Sequence, residues 1–462
     1  MAQAPHSTAA VIGAGIAGTT AAYRLQQAGF KTTLFEDRDR VGGRIYTLRK
    51  GDFLMDMGTA VYLGTYDEAV KLIHEVGLTS EFGGVPAILG MLRHGTTHHL
   101  DLGHVIRDGI KTKALSTREK LQLLKLGLDV VKHRKGLGYY DYTALLDGVD
   151  QQTVSEYCLR ELGKNALEYV GRPLVSGTWV ADAEDTSLGL LHWTIRNMLV
   201  KEVYNLTSGV VGLPRQLARF VETRLSTPAT NVVDTPHGVE VTSASAGGGE
   251  HTETFDACVI ATTAQPAIKM FPQMDDNTRE LYESTRYRRL GTVCMGLSER
   301  PKDPSTFFLV APAEDPDTIA VIADHHKAPG RAPEGKGLVT VLLSHEYLER
   351  SEHLSDEQVL ESGLSRAARY YGDLSNTLEE SAVYRWDASV PTIDRNRFAL
   401  ITQYQKRVDR VSRVQFASDL DRIPGLNGAL VSGQEAAGRV IDLFSVRTPT
   451  PRGIFREPTW RH

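Results

Sequence analysis

Three glycines near the beginning of the chain have the spacing of a phosphate-binding turn. Gly13, Gly15 and Gly18 follow the short apolar run 9–12 and lead into helix-forming residues. In a G-x-G-x-x-G turn, the first glycine permits a tight turn, the second lets backbone approach a pyrophosphate, and the third lets helix pack on strand. Glu36 lies roughly twenty residues further on, where a carboxylate accepts hydrogen bonds from an adenosine ribose. The pattern predicts a bound dinucleotide without a 2′-phosphate.

A strand–helix–strand unit must position these residues. The sequence predicts a strand at 9–12, a helix at 17–28 with Gly29 as its C-cap, and a second strand at 32–35. The beginning of the helix would offer free N–H groups and the positive end of its dipole to the diphosphate. The residues predicted to surround the diphosphate and ribose are Gly13, Ala14, Gly15, Ile16, Ala17, Gly18 and Glu36.

The run 36–44 indicates which dinucleotide is bound. Its pattern, E-x-R-x-R-x-G-G-R, resembles the signature of the flavin amine oxidase superfamily, which includes amine and porphyrinogen oxidases and carotenoid desaturases. The resemblance implies FAD, with Arg44 close to the flavin. The run 56–59 resembles the family's turn that brings backbone to the isoalloxazine. The cofactor residues implied by these two runs are Asp37, Arg38, Gly42, Gly43, Arg44, Met57, Gly58 and Thr59.

Segments later in the chain resemble further FAD-binding elements of the superfamily. The apolar run 257–262 resembles a strand that ends beside FAD, and residues 229–231 would meet the adenine. The segment 414–443 resembles the A-G-D … G-x-x-G-A-x-x-S-G element, with Ser418 in place of a glycine. Asp419 is implied to accept hydrogen bonds from the ribityl or phosphate region. The residues assigned to FAD in this way are Ala229, Thr262, Ser418, Asp419, Leu426 and Asn427.

Signatures at both ends of the chain imply an α/β fold, in which a Rossmann-like FAD-binding domain carries an inserted α+β substrate domain. This is the architecture of flavin amine oxidases and p-hydroxybenzoate hydroxylase. The FAD-binding domain is predicted to consist of segments 7–76, 203–264 and 392–446. A largely helical segment, 77–202, and a sheet segment, 265–391, would form the substrate domain, and 447–462 would be a tail.

Composition excludes several other classes of protein. The 462 residues include 52 Lys and Arg against 57 Asp and Glu, which gives no case for a nucleic-acid partner. The three cysteines are widely spaced and predict neither a disulfide framework nor a metal site. No apolar run approaches the roughly 20 residues that span a bilayer. We therefore expect a cytoplasmic protein, soluble or attached peripherally to a membrane. Nothing in the sequence fixes its oligomeric state.

The run 171–182 points to a substrate pocket, because it resembles the P-x-x-S-G-x-x-A-x-D segment of porphyrinogen oxidases. In that family the glycine, here Gly177, lies near the flavin on the substrate side. Trp179, His192 and Trp193 are close in sequence and are candidates to line an apolar cavity. The alternatives are a glycine turn between helices and tryptophans that merely pack in the core.

A helix at 121–135 is predicted behind a capping box formed by Ser116 and Glu119. Its aliphatic residues Leu121, Leu124, Leu128 and Val131 share one face, and its flank is basic. We expect this face to contact the core. The alternative is an interfacial membrane helix or a lid at a substrate entrance.

The implied function is oxidation or desaturation of a mostly apolar, cyclic small molecule, with a hydride passing from a substrate C–H to flavin N5 and then to molecular oxygen or another acceptor. Porphyrinogen oxidases are the nearest pattern. An amine oxidase is the second choice, because many of those enzymes carry a lysine at the strand 291–296 and this chain has none. A cluster of Arg286, Arg288 and Arg289 is interpreted either as a contact for substrate carboxylates or as a solvated turn. Minor alternatives are a reduced-flavin isomerase and a non-enzymatic protein like the GDP-dissociation inhibitors.

Overall fold

The computed structural model of this protein describes residues 7–199, 202–244 and 248–445. The predicted tail at 447–462 lies outside the described residues, and so do residues 246–247 of the glycine-rich run 246–250. In the described part of the chain, no helix combines the length and the apolarity needed to cross a bilayer. The three cysteines are buried and free.

The first segment contains the predicted strand–helix–strand unit. Four of the five residues of its first strand are buried, as expected for a strand inside a parallel sheet. The elements of this segment are β1 (Thr8–Ile12), α1 (Ile16–Gln27), β2 (Lys31–Phe35), β3 (Thr47–Lys50), β4 (Phe53–Asp56), β5 (Tyr62–Leu63) and α2 (Asp67–Glu75).

The second segment is less helical than the sequence predicts. It begins with β6 (Phe82–Pro86), β7 (Ile88–Arg93) and β8 (Thr96–Asp101). Its helices are α3 (Val105–Lys111), α4 (Thr117–Lys132), α5 (Val154–Tyr157), α6 (Lys164–Ala166), α7 (Arg172–Trp179) and α8 (Leu188–Met198), and β9 (Glu202–Leu206) follows. Residues 155–166 do not form one continuous helix, because the helix breaks at Gly163, whose φ of +85° is outside the helical region.

The third segment returns to the FAD-binding domain. It contains α9 (Gly212–Ala218), β10 (Glu222–Arg224), β11 (Ala229–Thr235), β12 (Gly238–Ala244), β13 (Glu250–Phe255) and β14 (Ala257–Ile260). The helix α9 ends at Ala218, and Glu222–Arg224 pairs with β2 as a strand instead of continuing the helix. This tertiary pairing overrides the local helix propensity.

The last two segments supply most of a large sheet and then the end of the nucleotide fold. The fourth contains α10 (Ala264–Met270), α11 (Asp276–Glu283), β15 (Tyr287–Leu297), β16 (Phe307–Leu309), β17 (Thr318–Ala323), α12 (Asp324–Lys327), β18 (Gly337–Leu343), α13 (His345–Arg350), α14 (Asp356–Tyr371) and β19 (Leu378–Pro391). The fifth contains α15 (Arg397–Arg407), β20 (Val414–Phe416) and α16 (Leu426–Ser445).

A five-stranded parallel sheet joins the three FAD segments, in the order β10-β2-β1-β14-β20. Ala9 pairs with Ala257, and Cys258 in turn pairs with Val414. Ligands of such sheets bind in the crevice beyond the carboxyl ends of the strands. Gly13 and Thr262 follow β1 and β14 at this edge of the sheet.

A seven-stranded sheet forms the other side of the crevice, in the order β19-β15-β18-β17-β16-β7-β8. Its pairs are antiparallel except for the parallel pair of β16 with β7. The predicted antiparallel sheet is therefore present, but β7 and β8 of the second segment extend it. Both insertions thus contribute to one substrate domain.

A buried ionic cluster connects this sheet region to the first segment. Asp56, at the end of β4, accepts from Lys327 Nζ at 3.0 Å and lies 3.1 Å from Arg331 Nε, and Lys327 also contacts Asp324. Burial alone would raise the pKa of Asp56, but Lys327 and Arg331 hold that pKa below its ordinary value. The four side chains are at most 1 % exposed, so each charge depends on its partners.

Lys327→Met should lower the melting temperature by several degrees, because it leaves two buried carboxylates with one cation fewer, at a cost of about 3–5 kcal/mol. The matched control is Lys336→Met, whose partner Glu379 is about a third exposed; a surface pair contributes about 1 kcal/mol or less. Calorimetry of both variants measures the difference. Equal shifts would contradict the role of the cluster.

Candidate cofactor and substrate site

A cavity of about 730 Å³ lies between the parallel sheet and the large sheet. Residues from all five segments line it, so it is the cleft between the two domains. The predicted site residues on its wall are Gly13, Gly15, Ile16, Ala17, Glu36, Asp37, Arg38, Gly42, Gly43, Arg44, Gly58, Thr59, Gly177, Trp179, Ala229, Thr262, Ser418, Asp419 and Leu426. Sequence motifs that lie up to about 400 residues apart thus meet at one site.

Four predicted cofactor residues lie behind this wall. The amide of Ala14 donates to Glu36 Oε2 at 2.6 Å. A side chain on Gly18 would meet the carbonyl oxygen of Gly13 at 1.8 Å, so its role is close helix–strand packing. The Met57 carbonyl accepts from the Trp386 indole at 2.6 Å. Asn427 Oδ1 accepts from the amide of Ala69, which ties α16 to α2.

His192 and Trp193 do not line the cavity, contrary to the expectation from their place in the sequence. Both lie on the buried face of α8 in the helical region. Trp193 Nε1 donates to the carbonyl of Gly138 at 3.3 Å. The ring of His192 stacks on His133 at 5.6 Å, and burial lowers the pKa of His192 to about 4. The expectation rested on the closeness of these residues to Gly177 in sequence. Side chains that are close in sequence on helices can nevertheless point to different faces.

Gly177 is on the cavity wall but inside α7 and not in a turn. A Cβ on this residue would lie 2.7 Å from Leu309 Cδ2 and 2.9 Å from the carbonyl oxygen of Ile319. Glycine therefore lets α7 approach the large sheet. Trp179 ends the same helix, with its indole N–H donating to Thr194 Oγ1 at 2.7 Å.

The glycine turns form a backbone cradle. Gly42 N donates to the carbonyl of Ala14 at 2.8 Å, so the loop after β2 lies directly against the loop after β1. A Cβ on Gly15 would meet no atom within 4 Å, and Gly15 faces the cavity. Here the backbone is open to a close ligand, next to the beginning of α1. This arrangement fits a diphosphate.

Glu36 is fixed by two backbone amides. Its carboxylate accepts from Ala14 N at 2.6 Å and from Arg38 N at 3.0 Å, and the side chain faces the cavity. Burial and the hydrogen bond with Asp37 together raise the pKa of Glu36 to about 7, although the two backbone hydrogen bonds oppose the shift. Near neutral pH the group is thus close to its titration point.

Arg44 and Asp419 form a bidentate ion pair on the cavity wall. Arg44 Nη2 lies 2.7 Å from Asp419 Oδ1, and Nη1 lies 3.1 Å from Oδ2. The guanidinium also donates to the carbonyl of Ser389 at 2.9 Å. The resemblance assigned each residue to the cofactor separately. The structure adds that the two residues pair with each other. The sequence gives no signal for this pairing, because the residues lie in different segments.

Tyr384 and Trp386 also line the cavity. In sequence, residues 385–391 resemble only the R-W-x-x-x-x-P segment by which porphyrinogen oxidases return to the FAD domain. The rings of Tyr384 and Trp386 are 4.4 Å apart. A Cβ on Gly58 would approach Trp386 Cζ2 to 3.2 Å and the Arg44 carbonyl oxygen to 2.2 Å. The aromatic residues of β19 therefore support the turn at Gly58. Their resemblance to the R-W return was the available signal.

The arginine cluster at 286–289 is paired with surface acids and is absent from the described cavity wall. Arg286 contacts Asp394, Arg288 contacts Glu346, and Arg289 contacts Asp387, at 2.8, 3.0 and 3.1 Å respectively. The interpretation as a contact for substrate carboxylates finds no support in this placement.

The glycine cradle, Glu36 and the turn at Gly58 together form an elongated site for a flavin dinucleotide, and a family model agrees. The model described as flavin containing amine oxidoreductase matches residues 16–441. The chain belongs to this family. It is an FAD-dependent oxidoreductase with the fold of the FAD-dependent amine oxidases.

Relatives of this chain carry different activities. It is 22 % identical to coproporphyrinogen III oxidase of Staphylococcus aureus, over 94 % of this chain and 98 % of the relative. It is 23 % identical to polyamine oxidase 4 of rice, over 92 % and 87 %. The structure of cyclohexylamine oxidase from Brevibacterium oxydans has a TM-score of 0.75 at 16 % identity, over 96 % of this chain and all of that one.

The residues present fit FAD. Gly15 and the beginning of α1 would hold the diphosphate, Glu36 the adenosine ribose, and Gly58 with the beginning of α16 the flavin ring. When bound, FAD supplies the acceptor for a hydride from a substrate C–H. The chain's part would be to position the flavin ring and to keep water out of the cavity.

Gly15→Ala should weaken FAD binding on the order of 100-fold while the apoprotein keeps its melting temperature, because the new methyl group enters the ligand space only. Gly18→Ala should instead lower the melting temperature of the apoprotein, because its methyl group meets the Gly13 carbonyl. Titration of apoprotein with FAD and calorimetry separate the two effects. A Gly15→Ala protein that retains FAD would contradict the cradle.

FAD affinity should fall about tenfold between about pH 8 and about pH 6. The ribose hydroxyls would donate to the ionised carboxylate of Glu36, so binding should be favoured above the apoprotein pKa of about 7 and should weaken as pH falls through it. Fluorescence titration of apoprotein across this range measures the slope. Glu36→Gln should bind more weakly and lose the pH dependence; an unchanged slope would assign it to another group.

Proposed function

We propose that this enzyme oxidises or desaturates a mostly apolar and cyclic small molecule, in the manner of the porphyrinogen oxidases. Molecular oxygen or another acceptor would then reoxidise the flavin. The coproporphyrinogen oxidase relative, aligned over nearly the whole of both chains, supports this proposal. The main support is the apolar lining of one side of the cavity.

The substrate wall is the part of the cavity formed by α7, the end of α8 and the strands β7, β16, β17 and β18. All of its described residues are uncharged, and only Thr178 and the indole of Trp179 are polar. They are Leu89, Leu174, Gly177, Thr178, Trp179, Met198, Phe307, Leu309, Ile319, Ala320, Ile322 and Leu342. Moving an unpaired charge against such a wall is costly. The wall therefore favours an apolar substrate.

The chain's contribution to the reaction is positioning and exclusion of water. Gly177 brings α7 against β16 and β17, and Thr194 fixes the orientation of the Trp179 indole. No described residue of the substrate wall is a titratable acid or base. This absence is compatible with hydride transfer, which needs an oriented C–H bond and a shielded pocket.

Amine oxidation is the second candidate, and one observation favours it. Tyr384 and Trp386 line the cavity with their rings 4.4 Å apart, and aromatic faces attract ammonium groups. However, the Arg38 guanidinium already lies 5.9 Å from the centroid of Trp386. Strand β15 also lacks the lysine expected of many amine oxidases. Both features place this candidate second.

Anaerobic mixing of the FAD-loaded enzyme with a substrate panel should distinguish the two. We expect porphyrinogens or other reduced ring compounds to bleach the flavin absorbance and monoamines and polyamines to leave it unchanged, because the substrate wall offers no partner for a cation. Hydrogen peroxide release in air then reports oxygen as acceptor. Bleaching by amines alone would overturn the proposal in favour of the second candidate.

A further inference from the structure

The helices α3 and α4 expose an aliphatic face that neither domain covers. On α4 the residues Leu121, Leu124, Leu128 and Val131 are 66, 63, 64 and 55 % exposed. The opposite side of the helix, with Leu126 and Val130, is buried. The prediction that the four residues contact the core is therefore wrong. The helix is amphipathic with an additional, outward aliphatic stripe.

The neighbouring helix extends this face. Ile106 and Ile110 of α3 are 78 and 69 % exposed. Lys120 Nζ of α4 donates to the carbonyl of Ile110 at 2.6 Å, which places the end of α3 beside the first turn of α4. Six large aliphatic side chains, each more than half exposed, present on the order of 500 Å² of apolar surface, near the upper limit for a monomer. We call these six residues the α3–α4 face.

The surroundings of the α3–α4 face are strongly basic. Residues 105–135 include nine Lys or Arg and three Asp or Glu, in a chain whose formal net charge is −5. The three acids are all engaged: Asp108 with Arg107, Glu119 with Arg93, and Asp129 with the Tyr157 hydroxyl. Exposed lysines such as Lys113 and Lys132 thus contribute uncompensated charge at its rim.

We propose that the α3–α4 face docks on an anionic lipid membrane, with its six aliphatic side chains in the interface and the basic rim against the headgroups. An aliphatic stripe bordered by lysine and arginine is the pattern of helices that lie in a membrane interface. The positive rim complements anionic lipid. A second copy of this chain would bring two such basic rims together, which disfavours a dimer through this face.

The cavity extends to the base of these helices. Leu102 and Leu89 are on its wall, and Leu102 lies three residues before the start of α3. Leu89 of β7 pairs with Leu100 of β8, two residues before Leu102, so the two wall residues lie near each other. A docked α3–α4 face would therefore bring the membrane close to the apolar end of the cavity. This part of the inference rests on the proposed function, because it gives an apolar substrate a route from the lipid phase.

Co-sedimentation of the FAD-loaded protein with phosphatidylcholine vesicles, with and without phosphatidylglycerol, tests the docking. We expect binding that requires the anionic lipid and weakens at high salt. Leu124→Ser/Leu128→Ser should weaken it on the order of tenfold per residue, and Lys113→Gln/Lys132→Gln should reduce its salt dependence. Val411→Ser is the matched control, because Val411 is 74 % exposed outside the face and should leave binding unchanged.

Vesicle binding requires no turnover, so a wrong substrate class leaves this test unaffected. FAD content and melting temperature of each variant establish that it is folded. Absence of vesicle binding by the wild-type protein, or binding that Leu124→Ser/Leu128→Ser does not weaken, would overturn the proposal. A dimer in size-exclusion chromatography that this variant dissociates would assign the face to a second copy instead.

Discussion

The parallel sheet is complete only when three distant segments of the chain pair with one another. β1 lies between β2, its neighbour in sequence, and β14, and β20 completes the sheet from the last segment. Every other feature of the site depends on this pairing. The glycine turn after β1, Thr262 after β14 and Asp419 after β20 reach the same crevice because parallel strands end at one edge. The two insertions can then form the opposite wall.

The nucleotide half of the site was predictable from the sequence because its signals are local. A tight turn, a close backbone approach and a ribose acceptor each need particular residue types at fixed spacing, and Gly13, Gly15 and Glu36 occupy those positions. The pairing of Arg44 with Asp419 had no such signal, because it depends on the tertiary meeting of two segments. His192 and Trp193 lie away from the cavity wall for a different reason, because residues close in sequence can point from helices in different directions.

The substrate domain was harder to predict because its local patterns permit more than one partner. The aliphatic stripe of α4 has the spacing of a core helix, and only the structure reveals that another side of the helix is buried. Likewise β7 and β8 carry no strong strand pattern and are stabilised by pairing with each other and with β16. The sequence left both a cavity-wall position and a turn between helices open for Gly177; the residue lies on the wall inside α7, where close packing on the large sheet requires the glycine.

The late position of β20 and α16 has a consequence for biosynthesis. During translation at about 5–20 residues per second, the ribosome must add the residues between Ile260 and Val414 before the edge of β14 acquires its partner. Until then the nascent sheet keeps an open edge, and the site lacks Asp419 and the beginning of α16. The complete cofactor site therefore forms only after β20 and the beginning of α16 have been synthesised. During this interval the unpaired edge of β14 is a place where the chain can pair wrongly or aggregate.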